Sequence, residues 1–221
     1  MDLRDYADGV FKVVNFEPSY KRIGKDWIPN WSRTLRAIQK AKGIFELYST
    51  ICARWEFLGG LYLGTTDDTN YEEALEYVSQ FLIPINRKYA SIIDISGQSN
   101  AFEFFSIFRN KAVHGATPAA IATTNRTKVI GWWIGAEADL HTQKYHLQIK
   151  NGMIFVDGEK IISEFLTSLL NYSNYLRLDR DIMNGLKPSD RWIRAFWARF
   201  KPLNLEKAYW MNEGYQRGVH Q

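Results

Sequence analysis

A change of hydrophobic period along the chain does most to limit what this sequence can fold into. From Trp31 to Leu63 apolar residues recur every three or four positions, as in Leu35, Ile38, Phe45, Tyr48, Cys52, Trp55 and Leu58. That spacing lays one apolar stripe along a helix. Ser32 is placed to cap it, Gly43 to break it, and Gly59-Gly60 or Gly64 to end it. A second helical pattern runs through Tyr71, Ala74, Leu75, Val78, Phe81 and Leu82 behind an acidic opening of Glu72, Glu73 and Glu76, with Pro84 marking its end or a kink. A third, residues 99 to 114, starts at Ser99 or Asn100 and stops at Gly115, with Pro118 soon after.

Between Lys128 and Asp157 the period shortens to β-branched and aromatic runs, VIGWWIGA, KYHLQI and MIFV, and Asn151-Gly152 separates the last two as a hairpin turn would. Helical spacing then resumes from Ile161 to Leu176, and a last amphipathic stretch runs from Pro188 or Ser189 to Phe200. The expected fold is therefore mainly α, an antiparallel helical bundle with a small β-hairpin or meander inserted after the third helix. Three regions are expected: an irregular N-terminal arm over 1–30, a helical domain over 31–178 with its β insertion at about 128–157, and an amphipathic helix and tail over 179–221 packed on the same domain.

With 221 residues, 46% of them hydrophobic, the chain can bury a sizeable core, and disordered, collagen-like and coiled-coil classes are excluded. The lone Cys52 allows no internal disulfide and no cysteine pair for zinc, and it falls on an apolar helical face. The N-terminus carries acids where a secretory signal needs a basic start, and no apolar run approaches the length of a membrane span. The expectation is a soluble cytoplasmic protein with no membrane partner. The formal charge of +4 is unevenly spread: residues 21 to 43 carry +6, residues 44 to 105 carry −6, and residues 177 to 221 carry +4. Arg33, Arg36 and Lys40 in the first basic block suit either a solvated helix face or a surface that tracks phosphates.

The third helix carries the one constellation with chemical potential. In Phe108-Arg109-Asn110-Lys111-Ala112-Val113-His114-Gly115, Asn110 and His114 share a helical face, and Arg109 starts about 140° away from His114. An imidazole that titrates near neutrality, a permanent cation and an orienting amide are the parts needed to cleave a phosphodiester without a metal. The same residues also suit a structural role, with His114 near the last helix carbonyls and Arg109 paired to Glu103 or Glu56.

The run Arg109-Asn110, three residues, then His114-Gly115 resembles the hallmark of the HEPN family. The long first helix, acidic second helix, aromatic approach to the motif and later β excursion match that family's bacterial members. The likeness spans about residues 31 to 178 and is specific at 102 to 115. It implies a metal-independent, cofactor-free endoribonuclease that works as a homodimer, both motif helices lining one cleft. His114 would act as general acid or base, Arg109 would hold the scissile phosphate and stabilise the transition state, and Asn110 would orient either. The products would carry 2′,3′-cyclic phosphate and 5′-hydroxyl ends. Lys111, Arg33, Arg36 and Lys40 are further candidate RNA contacts. The family's usual settings, toxin–antitoxin and anti-phage defence, imply an antitoxin or sensor partner. The alternative within the family is a non-catalytic module that binds a partner protein or a nucleotide, and outside it a peripheral adaptor using the basic, aromatic C-terminus.

Other candidates are weaker. His141 and His146 fall on opposite faces of a strand, which disfavours a shared metal. The glycines at 59, 60 and 64 lack a P-loop's Lys-Ser/Thr and read as a helix end packed closely on a neighbour. In the stretch 191–200 Trp192, Ile193, Phe196, Trp197 and Phe200 share a face suited to core or dimer packing.

Overall fold

The computed structural model describes residues 23–41, 44–66, 71–92, 131–135, 144–150 and 153–199. These are mostly helical, as the apolar spacing requires. A π-helical turn, Ile23–Trp27, leads into α1 (Ile28–Lys40). Then comes α2 (Ile44–Leu63), and Gly43, where a break was expected, lies outside the described residues. Next come α3 (Tyr71–Tyr77) with a π-helical extension, Val78–Leu82, and the short α4 (Tyr89–Ile92). Strands β1 (Gly131–Gly135), β2 (Gln148–Lys150) and β3 (Met153–Asp157) precede α5 (Gly158–Leu178) and α6 (Pro188–Arg199).

Helix α1 begins upstream of Ser32 because Pro29 lies in its first turn. There the missing N–H was never going to be bonded, and proline's fixed φ suits the helix. The preceding π turn brings Ile23 fully into the core, so residues 23–30 are helical where the sequence suggested an irregular arm.

The glycines after Leu58 do what their spacing suggested. A Cβ on Gly59 would stand 1.7 Å from the Glu73 carbonyl oxygen, so α2 and α3 approach closely enough to require glycine there. Gly64, at φ +78°, closes α2 in the left-handed conformation, and the N–H of Thr65 reaches back to the Gly60 carbonyl at 2.9 Å.

Strands β2 and β3 pair antiparallel as expected, Lys150 opposite Met153, and the expected turn residues Asn151 and Gly152 lie outside the described residues. β1 departs from a meander: it pairs parallel to β3, Gly131 opposite Met153 through Gly135 opposite Asp157, giving the order β1-β3-β2. A parallel neighbour needs a crossover of about a dozen residues or more. β2 lies between β1 and β3 in the chain.

One apolar core joins these elements. Trp55 and Leu58 of α2, Val78 and Leu82 after α3, Phe165 and Leu169 of α5, and Trp192 and Phe196 of α6 are all buried within it. Trp192 stacks on Phe196 with centroids 4.7 Å apart and meets Trp27 at 6.0 Å. Trp192 and Phe196 of α6 are therefore core packing, and Ile193 is 38% exposed. Cys52 is buried as a core residue.

Candidate functional site

Arg109, Asn110, Lys111 and His114, together with the helix expected over 99–114, lie outside the described residues, as does His141. Three of the sequence candidates can be placed. Arg33, Arg36 and Lys40 lie within about 60° of one another around α1 and form one exposed ridge. Arg33 and Lys40 project from it, while Arg36 is tied down: its Nη1 donates to both carboxylate oxygens of Glu159 on α5, at 2.9 and 3.1 Å. Gln39 adds a 3.3 Å bond to the same carboxylate. Among the described residues the ridge thus carries two cations with no carboxylate partner and one that is shared with α5.

The densest titratable cluster in the described residues centres on His146, which the sequence reading set aside. Instead of continuing a strand, residues 144–147 turn into β2, and Leu147 takes a left-handed φ of 58°. That conformation is costly for a bulky side chain. It is held by full burial of Leu147 and by a 2.8 Å bond from its N–H to the Phe155 carbonyl.

Beside this turn the buried His146 ring accepts at Nδ1 from the Asp157 backbone N–H, 2.9 Å away, and its Nε2 lies 3.1 Å from Oε2 of Glu164. An imidazole nitrogen that accepts an N–H cannot itself carry a proton, so this geometry assigns the neutral tautomer with the hydrogen on Nε2, donating to Glu164. Glu164 also receives the Tyr89 hydroxyl on Oε2 and the Asn86 amide on Oε1, each at 2.8 Å.

Burial works against ionising Glu164, but the bonds from His146, Asn86 and Tyr89 outweigh it and hold the carboxyl below its usual value. Burial, reinforced by the Glu164 charge, pushes Tyr89 well above the normal phenol range, so its hydroxyl stays a donor. Tyr48 completes the surroundings from α2, its hydroxyl donating to the Val156 carbonyl at 3.4 Å. Both imidazole nitrogens are committed and the ring is buried. This cluster clips the β-hairpin to α5 and to the 86–89 segment; it has no free nitrogen with which to take a substrate proton.

That clip carries no local sequence signal, because its members come from a turn, from α5 and from the 86–89 segment with no shared spacing. The sequence reading also missed Arg54, which sits over the Trp31 ring with its guanidinium carbon 4.4 Å from the centroid. Among the described residues no group of three or more His, Cys, Asp and Glu side chains is arranged to hold a metal, and no helix is long and apolar enough to cross a membrane. No protein-family model matches the chain, and comparison with curated proteins and with solved structures likewise returns no match.

Proposed function

We propose that this protein is a metal-independent endoribonuclease of the HEPN type, acting as a homodimer in a toxin or anti-phage defence role and restrained by an antitoxin or sensor protein. One observation carries the reading: the run Arg109-Asn110, three residues, His114-Gly115, set at the end of an aromatic, helix-patterned stretch. The mainly helical fold is compatible with it, and the exposed Arg33 and Lys40 supply positive charge for a strand.

In this scheme the ribose 2′-hydroxyl attacks the adjacent phosphorus and the bond from phosphorus to the 5′-oxygen breaks. A 2′,3′-cyclic phosphate and a 5′-hydroxyl result. His114 takes the 2′ proton or delivers one to the leaving oxygen, and two copies in a dimer can divide those tasks. Arg109 stabilises the charge that builds on the phosphoryl oxygens, and Asn110 orients His114 or the substrate.

The experiment is RNA cleavage by the purified protein in EDTA, with end-group analysis of the products. Cleavage that disappears in His114→Ala while the dimer persists supports the reading. Equal cleavage by wild type and variant removes His114 from it. An Arg109→Ala variant that alters capture of a partner protein, in a chain that cuts no RNA, would point to a binding module instead.

A further inference from the structure

Three helices meet at a shallow crevice formed by Trp31, Thr34 and Leu35 of α1, Thr50 and Arg54 of α2, and Phe165 of α5. It encloses about 170 Å³ of space, open solvent at its mouth included. Its floor is aromatic: Trp31 stacks on Phe165 with planes 9° apart and on Trp27 at a centroid distance of 5.3 Å. Arg54 covers the same indole. The Trp31 ring is thus committed within the fold and serves to hold the guanidinium, leaving no platform for a nucleobase.

The charge at this place is unbalanced. Arg54 is half-buried, and among the described residues no carboxylate pairs with it; burial alone acts on its titration, lowering its pKa from the ordinary arginine value. Its contact with Trp31 is made through the ring face, whereas its five N–H donors lie in the guanidinium plane. No protein acceptor meets those donors among the described residues. Thr50 stands one helical turn before Arg54 on the same face of α2, and its hydroxyl likewise bonds to nothing among the described residues. Thr34 across the crevice differs, since its hydroxyl already donates to the Asn30 carbonyl at 3.0 Å. Half-buried cations are ordinarily matched by an anion. Among the described residues no anion matches it, and the open donors form a fork plus a hydroxyl.

We propose that the Arg54–Thr50 pair at the mouth of this crevice binds a phosphate group, either free or as one phosphodiester of an RNA strand. The guanidinium takes two oxygens side by side, as its fork geometry favours, and Thr50 donates to a third. The crevice is too shallow to engulf the group, which sits at the mouth with Trp31 fixing the arginine from below. Arg33 and Arg36 on the adjoining helix raise the local positive potential, partly offset by Glu159. This site shares no residue with the proposed catalytic set and stands or falls apart from it.

The test uses the full-length protein with inorganic phosphate and with a short single-stranded RNA whose 2′-hydroxyls are methylated, so that cleavage cannot interfere. Binding of each is measured calorimetrically for wild type, Arg54→Gln, Thr50→Val and, as a control, the exposed Arg180→Gln. Saturable binding of at least one probe is expected, weakened about tenfold in Arg54→Gln, less in Thr50→Val, and unchanged in Arg180→Gln. If the bound group is an RNA phosphodiester, the slope of log affinity against log salt also falls by about 0.7 in Arg54→Gln. Preference for the oligonucleotide over inorganic phosphate identifies a strand, and the reverse identifies free phosphate. Absence of saturable binding to both probes overturns the proposal, as does wild-type affinity in a folded Arg54→Gln. Should Arg54→Gln not fold, wild-type affinity in Thr50→Val overturns it. Loss of RNA cleavage in His114→Ala with phosphate binding intact separates this site from the catalytic one.

Discussion

His146 lies 3.1 Å from Glu164 through Nε2 while its Nδ1 accepts the Asp157 N–H, so a single imidazole joins the last residue of β3 to the second turn of α5. Asp157 is also the N-cap of that helix, its carboxylate accepting from the Lys160 N–H at 2.8 Å. The hairpin, the helix start and the 86–89 segment therefore share one network. Losing its central ring leaves the Asp157 N–H buried and unbonded and removes one of the three donors to Glu164.

The network makes stability depend on acid. Glu164 titrates below its ordinary value of 4.5 when folded, so its contribution is fully present above about 4.5 and is lost as pH falls through the lower folded value. Thermal melts taken downward from neutral pH should show a stability loss below about 4.5 that is smaller in Glu164→Gln. The same variant should be less stable than wild type at neutral pH by about 1–2 kcal/mol, because the amide offers Tyr89, Asn86 and His146 a poorer acceptor. His146→Leu should cost about 2–3 kcal/mol, since the Asp157 N–H is left buried and unbonded. An acid limb that is identical in wild type and Glu164→Gln would show that other carboxyls set it.

The cap gives a separate expectation. Asp157→Ala should destabilise the fold by about 1–2 kcal/mol, and Asp157→Asn by much less, because an asparagine oxygen still accepts from Lys160. Chemical denaturation of the two variants distinguishes a capping role, which Asn restores, from a need for the negative charge, which it does not.

The strongly periodic elements were legible in the sequence for a physical reason: the residues that define them are neighbours along the chain. The pattern from Ile161 to Leu176 led directly to α5, and Asn151-Gly152 to the β2–β3 hairpin. What escaped depends on contacts distant in sequence. The parallel pairing of β1 with β3 cannot be read from either strand alone, and Pro29, a breaker in most contexts, sits in the first turn of α1 where it is harmless. His146 looked like a strand residue until the left-handed Leu147 placed it in a turn facing Glu164. In the candidate site, Arg33 and Lys40 were legible as exposed cations, whereas the Arg36–Glu159 pair, 123 residues apart in the chain, was not. Arg109 and His114 stand out by local spacing alone, and they lie outside the described residues.

Close helix packing at Gly59 predicts a sharp asymmetry between two glycine substitutions. A methyl group at Gly59 would meet the Glu73 backbone at 1.7 Å, a contact relieved only by moving α2 from α3, whereas one at Gly24 meets nothing within 4 Å. Gly59→Ala should lose about 3 kcal/mol or more, as overpacking against backbone does. Gly24→Ala should be neutral or slightly stabilising. Comparable melting temperatures for the two variants would mean that α2 and α3 are not packed in this way.

Arg191 of α6 offers the least intuitive expectation. Its side chain is 1% exposed, yet only Nη2 is engaged, donating to the Tyr175 hydroxyl and lying 3.4 Å from the half-exposed Asp181 carboxylate. Nε and Nη1 are buried without an acceptor among the described residues. The guanidinium also rests 5.4 Å from the Tyr62 centroid, and its stem packs against Gly64. Desolvating a charge with so incomplete a set of partners costs more than one exposed carboxylate returns, whereas an apolar side chain of similar length keeps the packing and removes that penalty. Arg191→Met should therefore leave the melting temperature unchanged or raise it. Asp181→Ala, which keeps the buried cation and removes its counter-charge, should lower it. If Arg191→Met instead loses more than about 1 kcal/mol, the guanidinium contributes net stability through its contacts with Tyr62, Tyr175 and Asp181.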